Sequence, residues 1–223
     1  MHTTTILNYD PATYDFRGVI AELLGQQDLT ALTADYADGA DRAENSLYKN
    51  MEQSPHFRRL YAGLESQPGQ VFYTLYDRFV REVIRPQYAE PIYYQRRPSH
   101  RILFADTPGQ SRFHRDRDYG HHGSEVNYLV VQTPAFATNT IWIESEEGKA
   151  DYAPVELEPG QYVRFKGVDL EHGAQLNVTG RSRVSFDFRV MPASQAQEVD
   201  YGKRHTDERN PVRRNARDFA YCA

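Results

Sequence analysis

The chain has 223 residues, enough for one domain with a substantial core. Lys and Arg number 26 against 31 Asp and Glu, a formal charge of −5, which excludes the basic footprint of a dedicated nucleic-acid binder. Aromatic residues at 13% argue against disorder, and a single cysteine, Cys222, excludes a disulfide framework or a cysteine-built zinc site. The opening MHTTTILNYD has neither the basic nor the apolar segment of a signal peptide, and no apolar run is long enough to span a bilayer. A cytoplasmic protein with no membrane partner is expected.

Asp15 to Leu24 carries Phe16, Val19, Ile20, Leu23 and Leu24 at helical spacing, with Gly25 as the stop. Asp41 to Leu64 continues that pattern through Ala43, Leu47, Met51, Phe57, Leu60, Tyr61 and Leu64, with a break at Ser54-Pro55. Val71 to Arg85 is the clearest helix: Phe72, Leu75, Tyr76, Phe79, Val80 and Val83 line one side, and Pro86 ends it. Beyond Pro86 come short segments rich in β-branched and aromatic residues: Ile92–Tyr94, His100–Phe104, Val126–Gln132, Thr140–Glu144, Tyr162–Phe165, Ala174–Val178 and Val184–Val190. Turns such as Glu158-Pro159-Gly160 separate them. Strands at this spacing predict an antiparallel sandwich or barrel. From Tyr201 to Arg217 the chain turns basic (Lys203, Arg204, Arg209, Arg213, Arg214 and Arg217 against Asp207 and Glu208), which reads as a tail, a lid or a dimer contact.

Phe113-His114-Arg115-Asp116 puts an imidazole and a carboxylate two residues apart, on one face of an extended segment. His172, in a later strand, supplies a third donor. Two His and one Asp form the facial triad that holds non-haem Fe(II) and leaves positions open. Alone, His-x-Asp arises by chance in a chain with eight histidines, and a surface histidine is then the simpler reading. Arg183 and Ser185 tip the balance, because they share one face of a strand otherwise built of core residues. A guanidinium inside a barrel demands an anion, and its fork suits a carboxylate. Asp187 is the internal candidate for that anion, and an acidic co-substrate the external one.

The order His114-x-Asp116, His172, Arg183-x-Ser185 resembles the Fe(II)/2-oxoglutarate-dependent dioxygenases. Ala137 to Ser145, Leu157-Glu158-Pro159-Gly160-Gln161 and His172-Gly173 resemble their phytanoyl-CoA-hydroxylase-like branch. More narrowly, Phe113 to His121 with Glu125-x-Asn127 is similar to the small oxygenases of streptomycin-type aminoglycoside clusters. The resemblance covers roughly residues 70 to 192. It implies an α+β fold whose core is a double-stranded β-helix, or jelly roll, with N-terminal helices packed on it. A helical region over 1–90, a catalytic core over 91–192 and a tail over 193–223 would form a single domain. It further implies that His114, Asp116 and His172 bind Fe(II) and that Arg183 with Ser185 binds the distal carboxylate of 2-oxoglutarate, with Arg181 as a rival anchor. Decarboxylation of 2-oxoglutarate with O2 would give succinate and CO2 and hydroxylate a small-molecule substrate. Desaturation, epimerisation or ring closure share that chemistry.

Asn139 is a further candidate for 2-oxoglutarate, or a turn residue; Arg101, Asp118, Tyr119 and Asn127 are candidates for substrate. His121 and His122 read as rim residues, Gln95 and Arg97 as an edge-strand pair, and Ile143 to Lys149 as an exposed turn. A monomer or homodimer is expected, with no nucleic-acid partner. A cupin-like metal enzyme that does not use 2-oxoglutarate, and a non-catalytic jelly-roll binding protein, are the competing readings.

Overall fold

The computed structural model describes residues 4–34, 54–109, 112–196 and 219–223. The 201–217 tail and the 41–53 part of the second helical stretch therefore lie outside the described residues.

The helices begin and end where local chemistry allows. Helix α1 (Phe16–Leu24) is capped by the Asp15 side chain, which accepts from the Gly18 N–H, and it stops at Gly25 in the left-handed region at φ 63°. In α2 (Pro55–Leu64) Ser54 caps the Phe57 N–H, and Pro55 occupies the first turn, where its missing donor costs nothing. Helix α3 (Gln67–Phe79) runs on through a π turn, Val80–Ile84, into a 3-10 turn, Arg85–Gln87. Pro86 thus falls inside this final turn.

Among the described residues ten strands form two sheets. The larger has the order β1 (Thr5–Asn8), β7 (Gln161–Phe165), β4 (Val126–Val131), β9 (Arg183–Pro192), β2 (Ile92–Gln95), β10 (Phe219–Cys222), with β3 (Ser99–Leu103) also pairing β9. The smaller has β6 (Ala153–Pro154), β5 (Ile141–Ile143) and β8 (His172–Ala174). The strand pairs among the described residues are all antiparallel, so the chain is an α+β jelly roll. β1 and β10 add edges from segments that carried no strand signal, being only four residues each. β8 occupies His172–Ala174 rather than Ala174–Val178. Leu176 and Val178 are exposed, while Asn177 is tied by its backbone to Asp106 and Thr107.

β9 organises the interior because both of its faces are covered. Val184, Phe186, Phe188 and Val190 meet Phe16, Phe72, Tyr76 and Phe79 of the helices. Each fully buried Phe contributes about 1.5–3 kcal/mol. The alternate residues, Arg183, Ser185, Asp187 and Arg189, project to the opposite face. They share it with Leu129 and Val131, whose apolar cluster (Ile143, Val163, Phe165, Leu170) lies between the sheets.

Candidate metal centre

His114 and His172 face each other in an isolated antiparallel bridge. Each backbone N–H donates to the other's carbonyl at 3.0 Å, so both side chains leave on the same side, with ring centroids 4.6 Å apart. Gly173 allows the approach: a Cβ there would stand 2.9 Å from the backbone N and Cα of Phe113. The two rings are oriented alike. His114 Nδ1 bonds Arg112 O at 2.7 Å, and His172 Nδ1 bonds Leu170 O at 2.9 Å. A carbonyl only accepts, so Nδ1 carries the proton and Nε2 presents its lone pair.

Asp116 donates its N–H to Gly167 O at 2.8 Å and opens a short 3-10 turn to Tyr119, closed by Gly120 at φ 77°. Its carboxylate is buried and unequally used. Oδ2 accepts from Asn127 Nδ2 at 2.7 Å and from Arg189 Nε and Nη2 at 3.1 and 3.0 Å. Oδ1 faces His114 Nε2 at 3.5 Å and His172 Nε2 at 3.9 Å. One donor atom from each of the three residues lies within 4.8 Å of the others. Burial alone would raise the Asp116 carboxyl, but Arg189 and the neighbouring imidazoles hold it well below the usual range. Burial pushes His172 down. A buried ionised carboxylate and two imidazoles whose Nε2 atoms are turned towards it make a donor set that fits a metal ion.

Around this core the ends of both metal strands are braced. Arg115 reaches Asp169 O at 3.1 Å and Glu144 Oε1 at 3.2 Å, and that same oxygen accepts the Glu171 N–H at 2.7 Å. The expected exposed turn at Ile143–Lys149 is exposed over 145–149 and is corrected at its start: Ile143 and Glu144 are buried, Glu144 because it is the anchor between the two segments.

Arg183 is buried on the inward face of β9. Its Nε donates to Asn139 O at 2.8 Å and Nη1 to Ser185 Oγ. Among the described residues it has no carboxylate partner, since Asp187 pairs with Arg101. Burial, with Arg101 nearby, lowers its pKa to about 10. Arg181 is exposed and precedes the strand.

The remaining candidates divide. Asn139 spends its side chain on the Phe136 N–H at 2.6 Å, within its own turn, and meets the site through its carbonyl on Arg183. Asn127 is fully engaged, bonding Asp116 and accepting the Gly167 N–H at 3.2 Å, so it supports the carboxylate instead of facing a substrate. Arg101 is committed to Asp187 at 2.8 Å. Asp118 is exposed and accepts the Arg115 N–H at 3.1 Å. Tyr119 is exposed at the lip, its ring edge-on to His114 at 4.9 Å. His121 is buried, which corrects its reading as a rim residue. Burial, then the charge of Arg189, pushes it down to about 4. Arg189 was not anticipated, and Glu125 entered only through the Glu125-x-Asn127 resemblance, without a role. The alternation of polar residues through Arg183, Ser185, Asp187 and Arg189 was the available signal for Arg189.

No protein-family profile matches the sequence. The chain is 33% identical over 196 residues to the streptomycin biosynthesis protein StrG of Streptomyces griseus, covering 88% of each chain. Its fold is similar to the crystal structure of EctD from S. alaskensis with 2-oxoglutarate and 5-hydroxyectoine (TM-score 0.57, 14% identity, 86% of this chain and 73% of that one). The same protein with bound Fe gives a TM-score of 0.52 at 16% identity over the same shares.

Proposed function

The chain belongs to the family of the streptomycin biosynthesis protein StrG, and from that premise we propose that it is a non-haem Fe(II)/2-oxoglutarate-dependent dioxygenase of the phytanoyl-CoA-hydroxylase-like branch. It hydroxylates an unactivated C–H of a small polar metabolite in natural-product biosynthesis, of aminoglycoside or amino-acid origin. It works in the cytoplasm as a single-domain monomer or homodimer. One observation carries the reading: two Nε2 atoms and one open carboxylate oxygen converge, while Arg183 on the inward face of β9 has no carboxylate partner among the described residues. The related fold that holds 2-oxoglutarate in EctD supports it.

His114, Asp116 and His172 would hold the iron. When bound, Fe(II) couples the oxidative decarboxylation of 2-oxoglutarate by O2 to oxidation of the substrate C–H. Asn127 and Arg189 fill Oδ2, so Asp116 would hold a metal through Oδ1. Arg183 and Ser185 take the distal carboxylate of 2-oxoglutarate, with the Asn139 carbonyl fixing the guanidinium plane. Val131, Ile143, Leu170 and their neighbours supply a dry wall that keeps water from the reacting carbon.

The test is anaerobic addition of Fe(II), then 2-oxoglutarate, to metal-free protein, with His172→Ala as control. A weak visible charge-transfer band in the wild type alone is expected. Iron binding without the band would favour the cupin-like reading, and binding of neither would overturn the metal site.

A further inference from the structure

His121 lies between the Asp116–Tyr119 turn and β4 and has no part in the roles assigned above. Its side chain is buried and fixed from several directions. The backbone N–H donates to Asp116 O at 3.2 Å, and Nδ1 meets Glu125 Oε2 at 2.5 Å. Glu125 is itself held, by the His122 N–H on Oε1 at 3.2 Å and by Arg189 Nε, 3.6 Å from Oε2. A carboxylate accepts, so Nδ1 carries the ring proton and Nε2 is left as an acceptor. That Nε2 lies 4.0 Å from Asp116 Oδ1 and has no hydrogen-bond partner among the described residues. His121 is also outside the set whose donor atoms lie within 4.8 Å of one another. An oriented acceptor has thus been placed beside the metal position without becoming part of it.

Resting on the oxygenase reading, we propose that His121 contacts the substrate, accepting a hydrogen bond from a hydroxyl close to the carbon that is oxidised. The substrate class is a neutral polyol, cyclic or open-chain. An ammonium would have to enter beside Arg189, whose guanidinium already serves both Asp116 and Glu125. A second buried cation there is costly, whereas an O–H satisfies Nε2 without adding charge. A buried acceptor built for a hydroxyl also rejects molecules that lack one, because it would remain unpaired.

The probes are glycerol, erythritol and D-glucitol against cyclohexylamine and 1,6-diaminohexane, read as stimulation of 2-oxoglutarate consumption by the Fe(II)-loaded protein. The expected result is stimulation of tenfold or more by at least one polyol and none by the amines. That stimulation is lost in His121→Phe and partly kept in His121→Gln, while the anaerobic Fe(II)–2-oxoglutarate band is unchanged in both. Stimulation that persists in His121→Phe overturns the proposal, as does preference for an amine, or a wild type that shows the band yet responds to no polyol. Loss of the band in His121→Phe alone would assign His121 to the metal instead. Absence of the band in the wild type would be a failure of the oxygenase reading, which is a separate result. If His121→Phe does not fold, 15N NMR of the wild-type imidazoles decides: the His121 Nε2 resonance must be unprotonated and must shift on addition of the stimulating polyol.

Discussion

Arg101 and Asp187 meet at 2.8 Å across the β3–β9 pair, and this contact is what leaves Arg183 without a carboxylate among the described residues. Arg101 stands opposite Ser185 in the register, so its guanidinium reaches along β9 to Asp187 and away from Arg183. Arg183→Met should therefore weaken 2-oxoglutarate binding by 100-fold or more while Ni(II) affinity stays within about threefold, measured by calorimetry on metal-loaded protein. Arg183→Lys should not restore it, because a single ammonium cannot reproduce the planar fork that also bonds Asn139 O and Ser185. Equal 2-oxoglutarate affinity in Arg183→Met would remove the anchor.

Arg189 neutralises Asp116 and Glu125 together. Its loss in Arg189→Met strands two buried carboxylates, a defect of about 3–5 kcal/mol for a broken buried pair. A divalent cation bound at Asp116 supplies part of the missing positive charge. Denaturant unfolding should thus show a large loss in metal-free protein and a distinctly smaller one with Ni(II) present. A loss of the same size in both states would show that Arg189 acts through packing alone.

Arg183 and Arg189 share one face of one strand, yet only the first was legible from the sequence. Arg183 was found because Ser185 follows it and because His172 and His114-x-Asp116 precede it in a recognisable order. Arg189 sits in the same alternation, but its role depends on which strands flank β9, and register is a tertiary property that spacing does not carry. Asn127 failed for a related reason: both ends of its amide are used by Asp116 and Gly167, from a different part of the chain. The helix expected over 71–85 and the β9 strand were plain because their apolar periodicity is long, although the α-helix itself spans Gln67–Phe79 and gives way to the π turn. β1 and β10 were invisible because four-residue edge strands draw their stability from the neighbours they pair with, Tyr162–Arg164 and Ile92–Gln95, and carry little pattern of their own.

Gly173 is the residue whose smallness sets the spacing of the two histidines. A methyl at this position would meet Phe113 backbone at 2.9 Å, with no flexible side-chain end to yield. Gly173→Ala should cost about 1–3 kcal/mol in stability, as overpacking does, and should also lower Ni(II) affinity because the bridge between His114 and His172 must open. Thermal unfolding and metal titration check the two effects separately. A stable variant with unchanged metal affinity would mean that the bridge does not control the site.

His100 offers a pH test remote from the metal. It points from β3 into the helical layer among Phe72, Tyr61 and Phe186, and neither ring nitrogen has a partner among the described residues. Burial lowers its pKa from 6.5 to about 4; Asp187 pulls the other way and Arg101 adds to the fall. The unfolded chain then binds a proton that the folded one refuses between those two values. Stability from this group is complete above pH 6.5 and is lost as pH falls towards 4, by up to about 3 kcal/mol at 1.36 kcal/mol per unit. His100→Phe keeps the aromatic contacts and removes the titration. Its stability should match or exceed the wild type at pH 7, and the advantage should widen on acidification to pH 4. The difference between the two unfolding curves isolates His100 from the carboxylates and from His121, which titrate in both proteins. Parallel curves across that range would show that the buried ring finds a proton-compatible partner in the folded state.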